Sequence, residues 1–264
     1  MDNYLIAAFL GLVEGLTEFL PVSSTGHLIL LVDLLGLKAP PGRTFEVMIQ
    51  LGAILAICIL YFRRLWETLI GLPRQAKAQR FALLLLVGFL PAMVLGALFH
   101  KTIKEVLFSP VVVGVSLILG GIVILIVELM RPVPRYHTVD DVPLTTGLGI
   151  GFAQALAMIP GTSRSGATII GGLLLGLERR AAAELSFFLA IPTMTAAFVY
   201  DAYKTWDLLS FDDLGIIAIG FITAFLAALL VVRPFLMIVS RIGFAPFAYY
   251  RVALGVLVLT LLWL

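Results

Sequence analysis

Two stretches place ionisable and hydroxyl groups where the surrounding sequence is apolar. Pro160-Gly161-Thr162-Ser163-Arg164-Ser165-Gly166-Ala167-Thr168 sets one arginine, four hydroxyls and two glycines inside such a run. A glycine- and hydroxyl-rich turn opening a helix presents free backbone N–H groups at the positive end of the helix dipole, which suits an anion. Arginine adds a planar fork of donors matched to phosphate oxygens. The plainer account is a capped helix break with Arg164 paired to a structural acid. In the other stretch, Glu14 and Glu18 stand four apart and share one helix face. Two carboxylates so close in a low dielectric need a shared cation or a retained proton. Ser23, Ser24, Thr25 and His27 follow them. The plainer account here is that the hydroxyls cap a helix starting near Gly26, with His27 a satisfied polar residue. Charge at bilayer depth is costly and marks function more often than it marks structure.

The elements that must carry these groups are membrane elements. The chain is 61% hydrophobic and 13% charged, with mean hydropathy +1.10, whereas soluble domains are roughly 45–50% apolar and about 25% charged. A net charge of +2 is too small to point to nucleic acid. Cys58 is the single cysteine, which excludes an internal disulfide and a cysteine metal site. No basic n-region or small-residue cleavage site opens the chain, so the first apolar run is expected to stay in the mature protein. Residues 46–62, 81–99, 111–130, 181–200, 214–232 and 246–264 are each long enough to span. The runs 4–20 with 21–32, and 147–160 with 166–177, are short and broken.

Each half therefore reads as one broken pair followed by three spans, with repeat one at about 1–130 and repeat two at about 147–264. Leu34-Leu35-Gly36-Leu37 recurs as Leu174-Leu175-Gly176-Leu177, and Gly88-Phe89 resembles Gly220-Phe221. If each broken pair dips in and returns, three spans per half make the repeats inverted. The loops then segregate 11 Lys+Arg on one side, including all of 63–80, against 5 on the other. Positive-inside places the first side in the cytoplasm and both termini outside. The expected fold is an all-α polytopic membrane protein with six transmembrane helices and two re-entrant helix pairs in two inverted-topology repeats. Re-entrant backbone is tolerated only where protein covers it or water reaches it, so the two pairs should meet at a wet cavity.

Glu14/Glu18, Pro21 to His27, and Pro160 to Thr168 together resemble the motifs of the undecaprenyl-diphosphate phosphatase family of the bacitracin-resistance type. Phe45-Glu46-Val47 and Pro246-Phe247-Ala248 extend the resemblance over the chain. It implies release of inorganic phosphate from undecaprenyl diphosphate, returning the carrier lipid to peptidoglycan synthesis and giving bacitracin resistance. It also implies a bacterial inner-membrane enzyme, its site open to the periplasm, using Mg²⁺ or Ca²⁺.

On that resemblance, Arg164 would clamp phosphate oxygens with Ser163, Ser165, Thr168 and Thr25, while Glu14 and Glu18 would hold the divalent cation. The expected catalytic set is Ser24, His27, Glu18 and Arg164. Ser24 ranks first as nucleophile; attack by His27, or by a water that His27 activates, stays open. The expected partners are a polyprenyl diphosphate lipid and membrane lipids, with a homodimer left open. A transporter or flippase of a phosphorylated lipid is the alternative, because inverted repeats with a midplane anion site also describe carriers. Other polar groups have blander readings. Glu46 and Gln50 start a span, Arg251 snorkels, and Glu128 pairs with Arg131. Tyr249, Tyr250 and Trp263 sit in interface belts, and Pro91 and Pro192 kink helices.

Overall fold

A computed structural model describes residues 3–35, 43–130, 132–205 and 214–263. Among the described residues there are eleven α-helices and no strand. α1 (Asn3–Thr17) and α2 (Ser24–Leu35) form the first broken pair, and α7 (Leu144–Ala155) and α8 (Arg164–Leu174) form the second. With 15, 12, 12 and 11 residues, each is about 16–23 Å long at 1.5 Å per residue, short of a ~30 Å hydrocarbon core. The long elements are α3 (Arg43–Leu60), α5 (Ala76–Val106), α6 (Pro110–Met130), α9 (Arg179–Thr205), α10 (Leu214–Arg241) and α11 (Ala245–Trp263).

Five of these helices are long and apolar enough to cross a membrane unaided. The sixth expected span behaves differently. α3 stops at Tyr61 and the chain turns by 78° into α4 (Phe62–Gly71), where a loop over 63–80 was expected. The cause is composition: Phe62, Trp66, Leu69 and Ile70 fall on one exposed apolar face while Arg63, Arg64 and Glu67 fall elsewhere. Such a helix is stable along a membrane surface rather than through it. Pro91 and Pro192 sit inside the continuous helices α5 and α9. Glu128 takes Arg179 (2.5 Å) and the Phe244 N–H (3.0 Å) as partners; Arg131, its expected partner, lies outside the described residues.

The halves pack reciprocally. α1 lies along α10 and α7 along α5, while α3 meets α9 and α6 meets α11. Gly11 rests on the backbone carbonyl of Gly220, and Gly151 rests on that of Gly88, so the matched Gly-Phe pairs serve equivalent close crossings. The second Leu-Leu-Gly-Leu is a helix stop. Gly176, at φ +95°, lets the Leu177 N–H reach the Gly172 carbonyl and its own N–H reach that of Leu173. The first copy runs outside the described residues at Gly36. Fully buried Phe19, Phe187, Phe235 and Phe244 form the core behind the two turns, with the Phe19 and Phe187 rings edge to face at 5.3 Å.

Candidate functional site

The turn of each broken pair ends on a serine in the left-handed region, Ser23 at φ 69° and Ser163 at φ 76°. These are the only non-glycine residues with positive φ among the described residues. Such a backbone costs of order 1–3 kcal/mol and persists only where its surroundings enforce it. Each serine repeats the same local device. Ser23 Oγ accepts the Gly26 N–H at 3.2 Å, and Ser163 Oγ accepts the Gly166 N–H at 3.0 Å. The capping role expected for Ser23 is thus present in both halves, and it aims the first residues of α2 and α8 at one another. Those first residues are Ser24 and Arg164.

Glu18 joins them. Its Oε2 accepts from Ser24 Oγ at 2.5 Å and its Oε1 from Arg164 Nη2 at 3.0 Å. Both side chains of the ion pair are buried, Arg164 at 11% and Glu18 at 4% exposure, so the pair is not a screened surface contact. Arg164 Nη1 donates to the Ser186 carbonyl at 2.7 Å, while Arg164 Nε is buried without a partner. A cavity of about 200 Å³ is lined by Glu18, Ser23, Ser24, Thr25, Ser163 and Arg164, and on its apolar side by Phe108, Ala157, Met158 and Met194. Two elements that are 140 residues apart in sequence therefore share one chamber.

The remaining expected residues divide. Glu14 is fully buried with both carboxylate oxygens unpartnered, within electrostatic reach of Glu18 and Glu46. Ser165 Oγ donates to the Leu20 carbonyl at 2.7 Å, tying the second turn to the first. Thr168 Oγ1 bonds back to the Arg164 carbonyl (2.9 Å) and lies 2.8 Å from Ser186 Oγ. The hydroxyls of Ser165 and Thr168 are thus engaged within the protein rather than facing the chamber. His27 points the other way, with Nδ1 2.7 Å from the Ser23 carbonyl and Nε2 2.5 Å from the Tyr250 hydroxyl.

Snorkelling of Arg251 is overturned. The side chain is completely buried, and its five N–H groups meet five backbone carbonyls: Pro21, Gly161, Thr162, Ser116 and Leu117. Three of these belong to the two turns and two to α6. Turn carbonyls lack a helical partner, and a guanidinium supplies several donors at once. That is why a charge is stable here instead of seeking the interface. Ser186 and Tyr250 were also missed as site residues. A lone serine in an apolar span carries no spacing signal, and Tyr250 in the last span reads as a belt residue until its partner is seen.

The family model described as "Bacitracin resistance protein BacA" matches residues 7–257. An undecaprenyl-diphosphatase of Paracoccus denitrificans is 55% identical over 258 residues, covering 97% of this chain and 96% of that protein. Undecaprenyl-diphosphatase 2 of Paramagnetospirillum magneticum is 53% identical over 256 residues, covering 97% and 98%. An undecaprenyl-diphosphatase of Caulobacter vibrioides is 53% identical over 265 residues, covering 100% and 99%.

Proposed function

The chain belongs to the bacitracin resistance protein BacA family, and on that premise we propose how its paired turns remove the terminal phosphate of undecaprenyl diphosphate. It is a multi-pass membrane phosphatase acting on that lipid. The carrier alternative is not favoured, because the relatives are named as phosphatases along their whole length.

The observation that carries the mechanism is the Glu18 carboxylate bridging Ser24 and Arg164 at the chamber wall. Phosphoryl transfer depends chiefly on positioning and charge stabilisation. Ser24 Oγ attacks the terminal phosphorus while Glu18 Oε2, already bonded to that hydroxyl, takes its proton. The anhydride P–O bond breaks, undecaprenyl phosphate leaves, and phosphate remains on Ser24. Glu18 gives that proton up to bulk water; its restored carboxylate deprotonates the attacking water, the Oγ–P bond breaks to release inorganic phosphate, and the proton returns to Ser24 Oγ. Arg164 offers the unpartnered Nε–H to the phosphate oxygens, and Ser163 and Thr25 complete the polar wall. Met158, Met194 and Phe108 give the first isoprene units an apolar wall.

The residues fit a divalent cation of the Mg²⁺ or Ca²⁺ class. Glu14 keeps two buried oxygens without a protein partner next to Glu18, and such ions bind through one or two carboxylates plus waters and phosphate oxygens. Among the described residues no cluster of three ligating side chains exists, so Glu14 and Glu18 would hold the ion jointly with substrate oxygens. When bound it would neutralise charge between the acids and the diphosphate.

The chamber faces the periplasm of the bacterial inner membrane. Phe108 at its wall follows α5, whose first turns at the other end carry Lys77 and Arg80. Basic residues favour the cytoplasmic side, so the chamber belongs to the opposite one. The test is phosphate release from undecaprenyl diphosphate by purified protein in nanodiscs. Wild type should release phosphate, and Ser24→Ala and Glu18→Gln should each lose at least about a thousandfold in kcat. Wild-type rates in either variant would remove the mechanism.

A further inference from the structure

Tyr250 belongs to the other repeat from His27, yet its hydroxyl lies 2.5 Å from His27 Nε2. The two rings are parallel to within 1°, with centroids 5.6 Å apart. The opposite ring nitrogen, Nδ1, faces the Ser23 carbonyl at 2.7 Å. A carbonyl only accepts, so Nδ1 carries the proton; in the neutral imidazole Nε2 is then a bare lone pair, and the phenol donates to it. The Ser23 carbonyl also accepts the backbone N–H of His27 at 3.1 Å, so both of its lone pairs are satisfied by one residue. Ser23 is one of the two strained turn residues, and Ser24 comes next. On the adjacent residue of α11, Arg251 Nη1 bonds the Pro21 carbonyl on the other side of the same turn.

We infer that Tyr250 is a positioning residue for the phosphatase reaction: its hydroxyl fixes His27 in the Nδ1–H tautomer, and His27 in turn holds the left-handed Ser23 turn that aims Ser24 at Glu18. This rests on the reading of Ser24 as nucleophile. It assigns the last helix a role in the chemistry without any contact with substrate. A tyrosine that merely anchored the helix in the interface would need its hydroxyl near water and would be indifferent to His27.

The experiment is a double-mutant cycle in nanodiscs with undecaprenyl diphosphate. Tyr250→Phe keeps the ring and removes only the donor. It should lower kcat about tenfold while KM stays within about twofold, the size expected for one lost hydrogen bond acting through orientation. In a His27→Ala background the same change should cost less than about twofold. Nitrogen NMR of ring-labelled histidine, with three histidines to assign, gives a readout independent of turnover. In wild type, His27 should show a protonated Nδ1 and a hydrogen-bonded Nε2, and Tyr250→Phe should move the Nε2 resonance. Equal losses in both backgrounds, or an unmoved resonance, overturn the inference. Wild-type protein that releases no phosphate would instead defeat the underlying phosphatase mechanism.

Discussion

Replacing Arg251 separates a structural clamp from a surface cation. Pro21, Gly161 and Thr162 lie in the turns outside any helix, and Arg251 is the partner of all three carbonyls. Arg251→Met leaves those acceptors buried and unpaired. At about 1–3 kcal/mol for each orphaned group, the loss is about 3–9 kcal/mol. That is comparable to the net stability of a whole domain, ~5–15 kcal/mol. Arg251→Lys keeps the charge but has three donors for five carbonyls, so it should fall between. With about 2–4 °C per kcal/mol for a chain of this size, Arg251→Met should unfold about 10 °C or more below wild type, if it is recovered folded at all. The assay is thermal unfolding in detergent, read by monodispersity and intrinsic fluorescence, with phosphate release measured in parallel. A snorkelling arginine would cost a fraction of a kcal/mol. A Met variant within about 2 °C of wild type, with normal turnover, would refute the clamp.

Other consequences follow from the same contacts. Gly120→Ala should act as a partial Arg251 lesion, because a Cβ there would overlap the Arg251 guanidinium; lower stability with unchanged metal dependence checks it. Ser163→Ala removes the acceptor for the Gly166 N–H and should cost about 1 kcal/mol, seen as a lowered Tm with reduced turnover. Outside the membrane, the Arg64 guanidinium, with help from Lys77, holds the Asp140 carboxyl below its ordinary range against the opposing effect of partial burial. A depressed carboxyl stabilises the fold above the unfolded-state value near 4 and loses that contribution as pH falls through the folded-state value. The stability difference between wild type and Asp140→Asn should therefore be present at pH 7 and shrink on acidification below about pH 4; a difference that is constant down to pH 2 would contradict the pairing.

Residue chemistry made the core of the site legible before any coordinates. Re-entrant backbone required the two turns to meet, and the resemblance put Glu18, Ser24, His27 and Arg164 among the catalytic residues; Arg164 and Ser24 both bond Glu18, while His27 turns away to Tyr250. The second Leu-Leu-Gly-Leu ends α8, and the matched Gly-Phe pairs sit at equivalent close crossings. What stayed hidden depends on tertiary partners. Arg251 in an apolar span reads as snorkelling unless the orphan carbonyls around it are known. Ser165 and Thr168 look like phosphate ligands by type, yet their hydroxyls hold the turn and α9. The span read as 46–62 ends beside the 78° bend, but α4 beyond it was read as loop, because its two-faced character emerges only over its ten residues.

The most direct test of the central claim is to quench wild-type protein during turnover of undecaprenyl diphosphate and map the phosphorylated residue by peptide mass. The mechanism predicts phosphate on Ser24, lost in Glu18→Gln and retained in Arg251→Lys when folded. Phosphate found on His27 under alkaline quench, or turnover by Ser24→Ala at the wild-type rate, would contradict it.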